Sequence, residues 1–266
     1  MRKVLTIAGS DCSGGAGIQA DLKTISAFGE YGMSVITALT AQNTLGVTGV
    51  VDVEPCFVEK QLDAIFCDIY PDSIKIGMVS NKDIIKSIVK KLKEYNAKNI
   101  VVDPVMISTS GSKLLNEDAI FELTHSLFPL ATIITPNIPE ASFLANMQID
   151  TKNDMVLACE KIAKEYSGYI LLKGGHLKDT SDDLLCCGGK SIWFSGDRID
   201  TKNTHGTGCT LSSAIAVNLA RNIDIESCVK ISKDYVYNAI KHNEDIGHEN
   251  GPLNHGYSIN SILKTC

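Results

Sequence analysis

Residues 4–21 read VLTIAGSDCSGGAGIQAD, and this stretch commits the chain to an architecture. Val4 to Ala8 is a β-rich run of strand length. It breaks at Gly9-Ser10-Asp11 and passes through Gly14, Gly15 and Gly17 into a segment where Ile18, Leu22 and Ile25 share one helical face. Strand, glycine turn and helix form the opening of a βαβ unit, and the alternation continues. Ser34 to Leu39, Ile74 to Met78, Ile100 to Val102, Thr132 to Thr135 and Tyr169 to Leu172 predict further strands. They are near-continuously apolar, as strands buried on both faces must be. Between them, Val58, Leu62, Ile65 and Phe66 predict one amphipathic helix, and Ile84, Ile85, Ile88, Val89 and Leu92 another. The expected fold is α/β, a three-layer α/β/α sandwich around a mostly parallel sheet.

Two stretches depart from this pattern. Val47 to Val53 is short, β-rich and interrupted by Gly49, which suits a flap over a site. Leu184 to Cys187 and Ser191 to Phe194, joined through Gly188-Gly189-Lys190, predict a hairpin at a sheet edge. The last third is helical, with Leu211, Ile215 and Leu219 on one stripe and Val229, Val236 and Ile240 on another. With 266 residues and no linker composition, repeat or low-complexity tract, residues 1–266 are expected to form a single domain.

Composition excludes several classes. Net charge is −6, which gives no basic field for nucleic acid. No apolar run approaches the ~20 residues that span a bilayer, and the N-terminal segment lacks a signal peptide's apolar region. Nine scattered cysteines without CxxC spacing fit reduced thiols in a cytoplasm rather than disulfides or zinc. His176, His242, His248 and His255 have no metal-binding spacing.

The strongest local signal is NTHGTGCT, residues 203–210, running directly into the helix of Leu211 to Ala220. A glycine turn before a helix lets backbone N–H groups converge, and the helix N-terminus adds partial positive charge, so Gly206 and Gly208 can frame an anion hole. Cys209 would lie in the first turn, where its thiol pKa is expected to fall and make it usable as a base or nucleophile. A small buried Cys at a structural turn is the alternative. Gly15-x-Gly17-x-x-Ala20 formally matches a dinucleotide fingerprint, but no acidic second strand end follows ~20 residues on, and no GxxxxGK[ST] is present.

Polar residues recur where parallel strands should end: Asp103 before Pro104, Asn137 and Glu140 after Thr135, and Lys173 with Gly174-Gly175 after Leu172. Ligands of open α/β sheets bind at the carboxyl ends of strands, so these groups can share one crevice with the first glycine loop. Carboxylates and a neutral amide suit Mg²⁺. Each alone could equally be a turn former, and Asn137 before Pro139-Glu140 reads as a helix cap.

Seven ordered segments, LTIAGSDCSGGAGIQADLKT, VITALTAQNT, KIGMV, VVDPVM, ITPNIPEA, LLKGGH and TKNTHGTGCTLSSAIA, resemble the hydroxymethylpyrimidine and phosphomethylpyrimidine kinases of thiamine biosynthesis, within the ribokinase-like superfamily. The resemblance covers essentially the whole chain. It implies a homodimeric cytoplasmic enzyme that uses ATP and Mg²⁺, with a monovalent cation as an optional further cofactor, and no nucleic-acid or membrane partner. Gln42 would hydrogen-bond the aminopyrimidine alcohol, with Ala16, Met78 and Val105 around its ring. Asp103, Asn137 and Glu140 would serve ATP and the metal, with Asp103 and Glu140 as metal ligands. Lys173 and Gly174 would lie by the nucleotide, and Gly206, Gly208 and Cys209 would form the anion hole. Many superfamily members carry Asp where this chain has Cys209, so the base role would pass to the thiol. Pyridoxal kinases with this Cys are the nearest competing reading; a non-catalytic precursor-binding protein and a dinucleotide oxidoreductase are the others.

Overall fold

A computed structural model describes residues 1–106, 115–175 and 181–258, so His176 lies outside the described residues. The chain alternates as expected. Strand β1 (Lys3–Asp11) leads to α1 (Gly17–Ala27) and β2 (Tyr31–Asn43); β3 (Gly46–Asp52), α2 (Pro55–Asp68), β4 (Ser73–Ile76) and α3 (Lys82–Glu94) follow. Then come β5 (Ile100–Val102), α4 (Glu117–Glu122), β6 (Ile133–Ile134), α5 (Ile138–Ala145), α6 (Lys152–Ile162) and β7 (Tyr169–Leu172). The hairpin β8 (Asp183–Cys187) and β9 (Lys190–Phe194) precedes α7 (Thr207–Ala220) and α8 (Ile225–Lys241).

The strands form one sheet in the order β3-β2-β1-β4-β5-β6-β7-β8-β9. Neighbours from β2 to β7 are parallel; the β2–β3, β7–β8 and β8–β9 pairs at the two edges are antiparallel. Alternation along each strand explains the continuous apolar runs. Leu5, Ile7, Ile74, Ile76, Ile100, Val102, Ile134, Ile170 and Leu172 pack against α2 to α6 on one side. Val4, Val101, Ile133, Leu171 and Leu185 pack against α1, α7 and α8 on the other. Three layers result, as the sequence predicts. Helix α7 is buried from Thr210 to Ala220 on all sides, which is why its sequence shows little amphipathic contrast.

The largest departure from expectation is β2. The predicted strand, Ser34 to Leu39, covers only its middle; the chain stays extended to Asn43 and pairs with β3 as a ribbon beyond the parallel sheet. Polar residues there alternate at the half-exposed end of the ribbon, so no apolar periodicity marks it. The predicted flap is therefore β3 together with the second half of β2, and it carries Gln42 near its tip.

Candidate active site

The site is assembled where the chain leaves the carboxyl ends of the parallel strands. Gly206 has φ of +86°, in the left-handed region, and caps α7 without a side-chain partner. First-turn N–H groups of a helix have no partner within the helix; here the Thr207 N–H donates to the Thr204 carbonyl at 3.3 Å, which leaves those of Gly208 and Cys209 as the ones a ligand could use. A Cβ at Gly206 would fall onto the carbonyl oxygen of Gly15, and the Cα of Ala16 is the next neighbour. The two glycine loops thus face each other in contact, as the sequence reading requires.

Gly208 rests on an ion pair. A Cβ there would lie 3.2 Å from Asp103 Oδ2 and 3.4 Å from Lys173 Nζ. Lys173 Nζ donates to Asp103 Oδ1 at 2.9 Å, and Thr135 Oγ1 donates to the same oxygen at 3.1 Å. Asp103 Oδ2 is left facing the turn. Burial pulls the Lys173 pKa down, but Asp103 and Glu140 more than offset it, so the ammonium is held charged above its ordinary value. Glu140 and Asn137 form a reciprocal cap at the start of α5: Asn137 N–H donates to Glu140 Oε2 at 2.9 Å, and Glu140 N–H to Asn137 Oδ1 at 2.9 Å. Glu140 Oε1 accepts from the Met106 N–H at 3.1 Å. Burial pushes the Glu140 carboxyl up, against the pull of Lys173. Val105, one residue before that N–H, has φ of +41°, a strained backbone for a β-branched residue and the kind of outlier that gathers at functional sites.

Gly174 sits at the far end of this floor. Its N–H donates to Asp183 Oδ1 at 2.9 Å, and Lys233 Nζ of α8 holds Asp183 Oδ2 at 2.6 Å. A Cβ at Gly174 would collide with the Asp182 carbonyl, so only glycine fits.

Gln42 reaches toward His205, with the amide nitrogen 3.3 Å from Nε2. The same Nε2 donates to Asp11 Oδ2 at 2.9 Å, so its proton is already committed and the Gln42 amide hydrogens remain available to a ligand. Burial raises the Asp11 carboxyl, but hydrogen bonds from His205, Ser13 and the Ala16 N–H hold it well below the usual carboxylate range. The Met78 methyl fills the space above Gly9, where a Cβ would be 2.5 Å away. Met78 thus packs on Gly9 at the start of the first glycine loop, Gln42 connects to that loop through His205 and Asp11, and Gly206 touches it at Gly15 and Ala16.

One expectation fails. The helix N-terminus does not depress the Cys209 thiol: burial pushes its pKa up to about 11, Asp21 and Asp103 act in the same direction, and the nearby Lys75 and the Gly17 N–H only partly compensate. At neutral pH Cys209 is a thiol in the resting protein.

The sequence reading also missed side chains. His205 lies inside the quoted turn but was passed over as part of a glycine motif. Asp183 and Lys233 are 50 residues apart and gave no local signal. A separate cavity of about 560 Å³, lined by Leu22, Lys23, Ser26 and His255 among others, contains none of the predicted site residues.

Comparison with known proteins bears on this geometry. A profile of the phosphomethylpyrimidine kinase family matches residues 11–254. The Escherichia coli hydroxymethylpyrimidine/phosphomethylpyrimidine kinase is 45% identical over 94% of this chain and 96% of its own. A thiamine biosynthesis bifunctional protein of Geobacter sulfurreducens is 47% identical over 95% of this chain, which spans about half of it (52%). Among solved structures, the phosphomethylpyrimidine kinase of Clostridium difficile superposes with a TM-score of 0.81 at 49% identity, covering 90% of this chain and 100% of that one. An ADP complex of Bacillus subtilis pyridoxal kinase superposes with a TM-score of 0.89 at 37% identity, covering 97% and 99%. Facing glycine loops, a buried Lys173–Asp103 floor and this similarity along nearly the whole length have one account: the chain belongs to the phosphomethylpyrimidine kinase family and has the ribokinase-like fold.

Proposed function

We propose that this chain transfers the γ-phosphoryl group of ATP to 4-amino-5-hydroxymethyl-2-methylpyrimidine and then to the resulting monophosphate, in thiamine biosynthesis. The observation that carries the reading is Gly208 lying on the Asp103–Lys173 pair while Gly206 touches the Gly15 loop. A terminal phosphate on the α7 N-terminus would meet first-turn N–H groups and the Lys173 ammonium from below, and an alcohol held by Gln42 would approach from the side of Ala16. Transfer of this kind is mostly positioning and charge stabilisation. Gln42 orients the ring, Met78 and Val105 bound it, Gly174 and Lys173 hold the nucleotide, and the minor thiolate form of Cys209 takes the alcohol proton as the bond to phosphorus forms. The monophosphate has a second pKa near ~6, is already largely ionised at neutral pH, and needs no such base.

Mg²⁺ fits this floor through one carboxylate. Asp103 Oδ2 has no hydrogen-bond partner among the described residues, whereas both Glu140 oxygens accept backbone N–H groups, which leaves Glu140 a role through water. Bound there with ATP, Mg²⁺ would neutralise phosphate charge. Free thiols at all eight described cysteines suit a cytoplasmic enzyme. The exposed apolar side chains of the β2–β3 ribbon, Leu39, Leu45, Val47, Val50 and Val51, favour a homodimer through that edge. Pyridoxal is the second acceptor to consider, because the fold superposes closely on a pyridoxal kinase.

A coupled ATPase assay against the pyrimidine alcohol, its monophosphate and pyridoxal tests the reading. Turnover of both pyrimidines is expected; turnover of pyridoxal alone would overturn the substrate assignment, and no turnover with any of them the kinase reading itself.

A further inference from the structure

Beneath the anion turn lies a charge pair to which the mechanism above gives no task. Lys75 of β4 and Asp21 of α1 are both fully buried, with Lys75 Nζ 2.9 and 2.8 Å from the two carboxylate oxygens. Asp21 also accepts from Thr6 Oγ1 of β1 at 2.6 Å and from Ser213 Oγ of α7 at 2.7 Å. Stability alone is a poor reason for such a pair, since apolar residues of similar volume serve as well or better in a core. The four elements it joins each carry part of the site: β1 runs into the glycine loop, α1 starts behind it, β4 leads to Met78, and α7 starts at the anion turn.

The register between β4 and α7 shows which way the pair points. Ser73, Lys75 and Gly77 alternate onto the sheet face that α1 and α7 cover. Ser73 Oγ donates to the Ala216 carbonyl at 2.7 Å, and one step along the strand Lys75 meets Ser213 through Asp21. The next step is Gly77, and the next turn of α7 toward its start is Cys209, four residues before Ser213 on the same stripe. Gly77 has no side chain, and a Cβ there would lie 2.6 Å from Lys75 Nζ. The ammonium thus occupies the room left at the level of Cys209, while Ser213 anchors the carboxylate one helical turn lower. The pair is an oriented dipole with its positive end under the turn. The charged groups facing Cys209 are Lys75 from β4, Asp21 from α1, Asp103 after β5 and Lys173 after β7; after burial, Lys75 weighs most on the thiol, ahead of Asp21 and Asp103.

We propose that Lys75, held by Asp21 and given room by Gly77, is a positioning residue for phosphoryl transfer: a fixed positive charge beneath residues 206–209 that touches neither substrate but stabilises the negative charge passing over the turn. The proposal rests on the reading that this turn receives the phosphoryl group.

The test is the double variant Lys75→Met/Asp21→Asn, which leaves no lone buried charge and keeps a hydrogen-bonding partner for both hydroxyls, the amide oxygen accepting from one of Thr6 and Ser213 and the amide N–H donating to the other. Removing a donor that touches the reacting oxygen costs about 10²–10³ in rate, and a charge one layer below should cost roughly 30-fold. We expect kcat to fall by that factor for both transfers, with KM for ATP and for the pyrimidine within about threefold and the melting temperature within about 5 °C of the parent. A folded double variant with the parent's kcat overturns the proposal. So does a loss shared between kcat and both KM values together with a collapsed melting temperature. Gly206→Ala serves as the control for the underlying reading: if it leaves kcat intact, the turn itself is misassigned, whereas an impaired Gly206→Ala beside an unimpaired double variant removes Lys75 alone.

Discussion

Raising the pH should accelerate the first transfer and not the second. Burial holds the Cys209 thiol at about 11, so at pH 7 the thiolate fraction is about one in ten thousand, and forming it costs about 5 kcal/mol. A base that is mostly protonated gives a rate proportional to its ionised fraction, so each unit of pH below about 11 should bring close to a tenfold gain. The sign follows from the direction of the shift: the pKa is raised, the active form is the deprotonated one, and the window therefore opens upward from neutrality. Bound ATP adds negative charge beside the sulfur, which disfavours the thiolate further and extends the rising limb rather than cutting it short. The monophosphate acceptor is ionised above ~6 and should give a flat profile from pH 7 to 9. The assay is a coupled measurement of ADP release at saturating ATP, giving kcat/KM for the alcohol and for the monophosphate, with Cys209→Ala run in parallel. The parent should gain roughly 100-fold for the alcohol between pH 7 and 9, and the variant should lose that slope while keeping most of its activity on the monophosphate. Equal flat profiles for both acceptors, or equal losses in Cys209→Ala, would refute the proton-acceptor role and leave Cys209 as a lining of the turn.

Gly206→Ala combines left-handed strain of about 1–2 kcal/mol with a collision against the Gly15 carbonyl that parts the loops by about 1 Å, so kcat should fall about 100-fold; unchanged kcat would mean the loops do not share the reacting atoms. Gln42→Leu should cost about 1–3 kcal/mol of pyrimidine binding by calorimetry and spare ATP, because the ligand's ring groups lose a partner in the cleft. Asp183→Asn breaks the charged link between Lys233 and the Gly174 N–H, and KM for ATP should rise about tenfold with KM for the pyrimidine unchanged; the reverse pattern would assign Gly174 to the acceptor.

The fold was readable because burial on both faces leaves a strong trace: apolar runs such as Ile100 to Val102 have no other stable use at that length between helices. The grouping of the candidate site was readable where a backbone requirement writes itself as glycine, at Gly206 and Gly208, or where a strand end forces a polar residue, at Asp103 and Lys173, which the fold brings together. What stayed hidden were pairings across the sequence. Nothing near Lys75 says that its partner is Asp21, 54 residues earlier, and an apolar strand with one lysine reads as a strand with one exposed position. Cys209 misled for a related reason. A helix N-terminus lowers a thiol pKa, but desolvation opposes it, and only the packing around α7 decides between the two.

The charges around the cleft are arranged in compensated pairs. Lys173 is matched by Asp103, Lys75 by Asp21 and Lys233 by Asp183, each through a direct hydrogen bond in a buried or nearly buried setting. A site that bound phosphate by surplus cations would need a positive neighbourhood, which a chain of net charge −6 does not provide. Here each lysine is fixed, Asp21 lies on the side of Lys75 away from the turn, and Asp103 presents one oxygen to the turn beside the Lys173 ammonium, so what a phosphoryl group would meet in the proposed transfer is not net charge but direction: the start of α7, the Lys173 ammonium, and the upward end of the Lys75–Asp21 dipole. Such an arrangement would need no reorganisation as charge moves during the proposed transfer, and that preorganisation is the physical means by which a glycine turn and two buried lysines would serve phosphoryl transfer in an otherwise acidic protein.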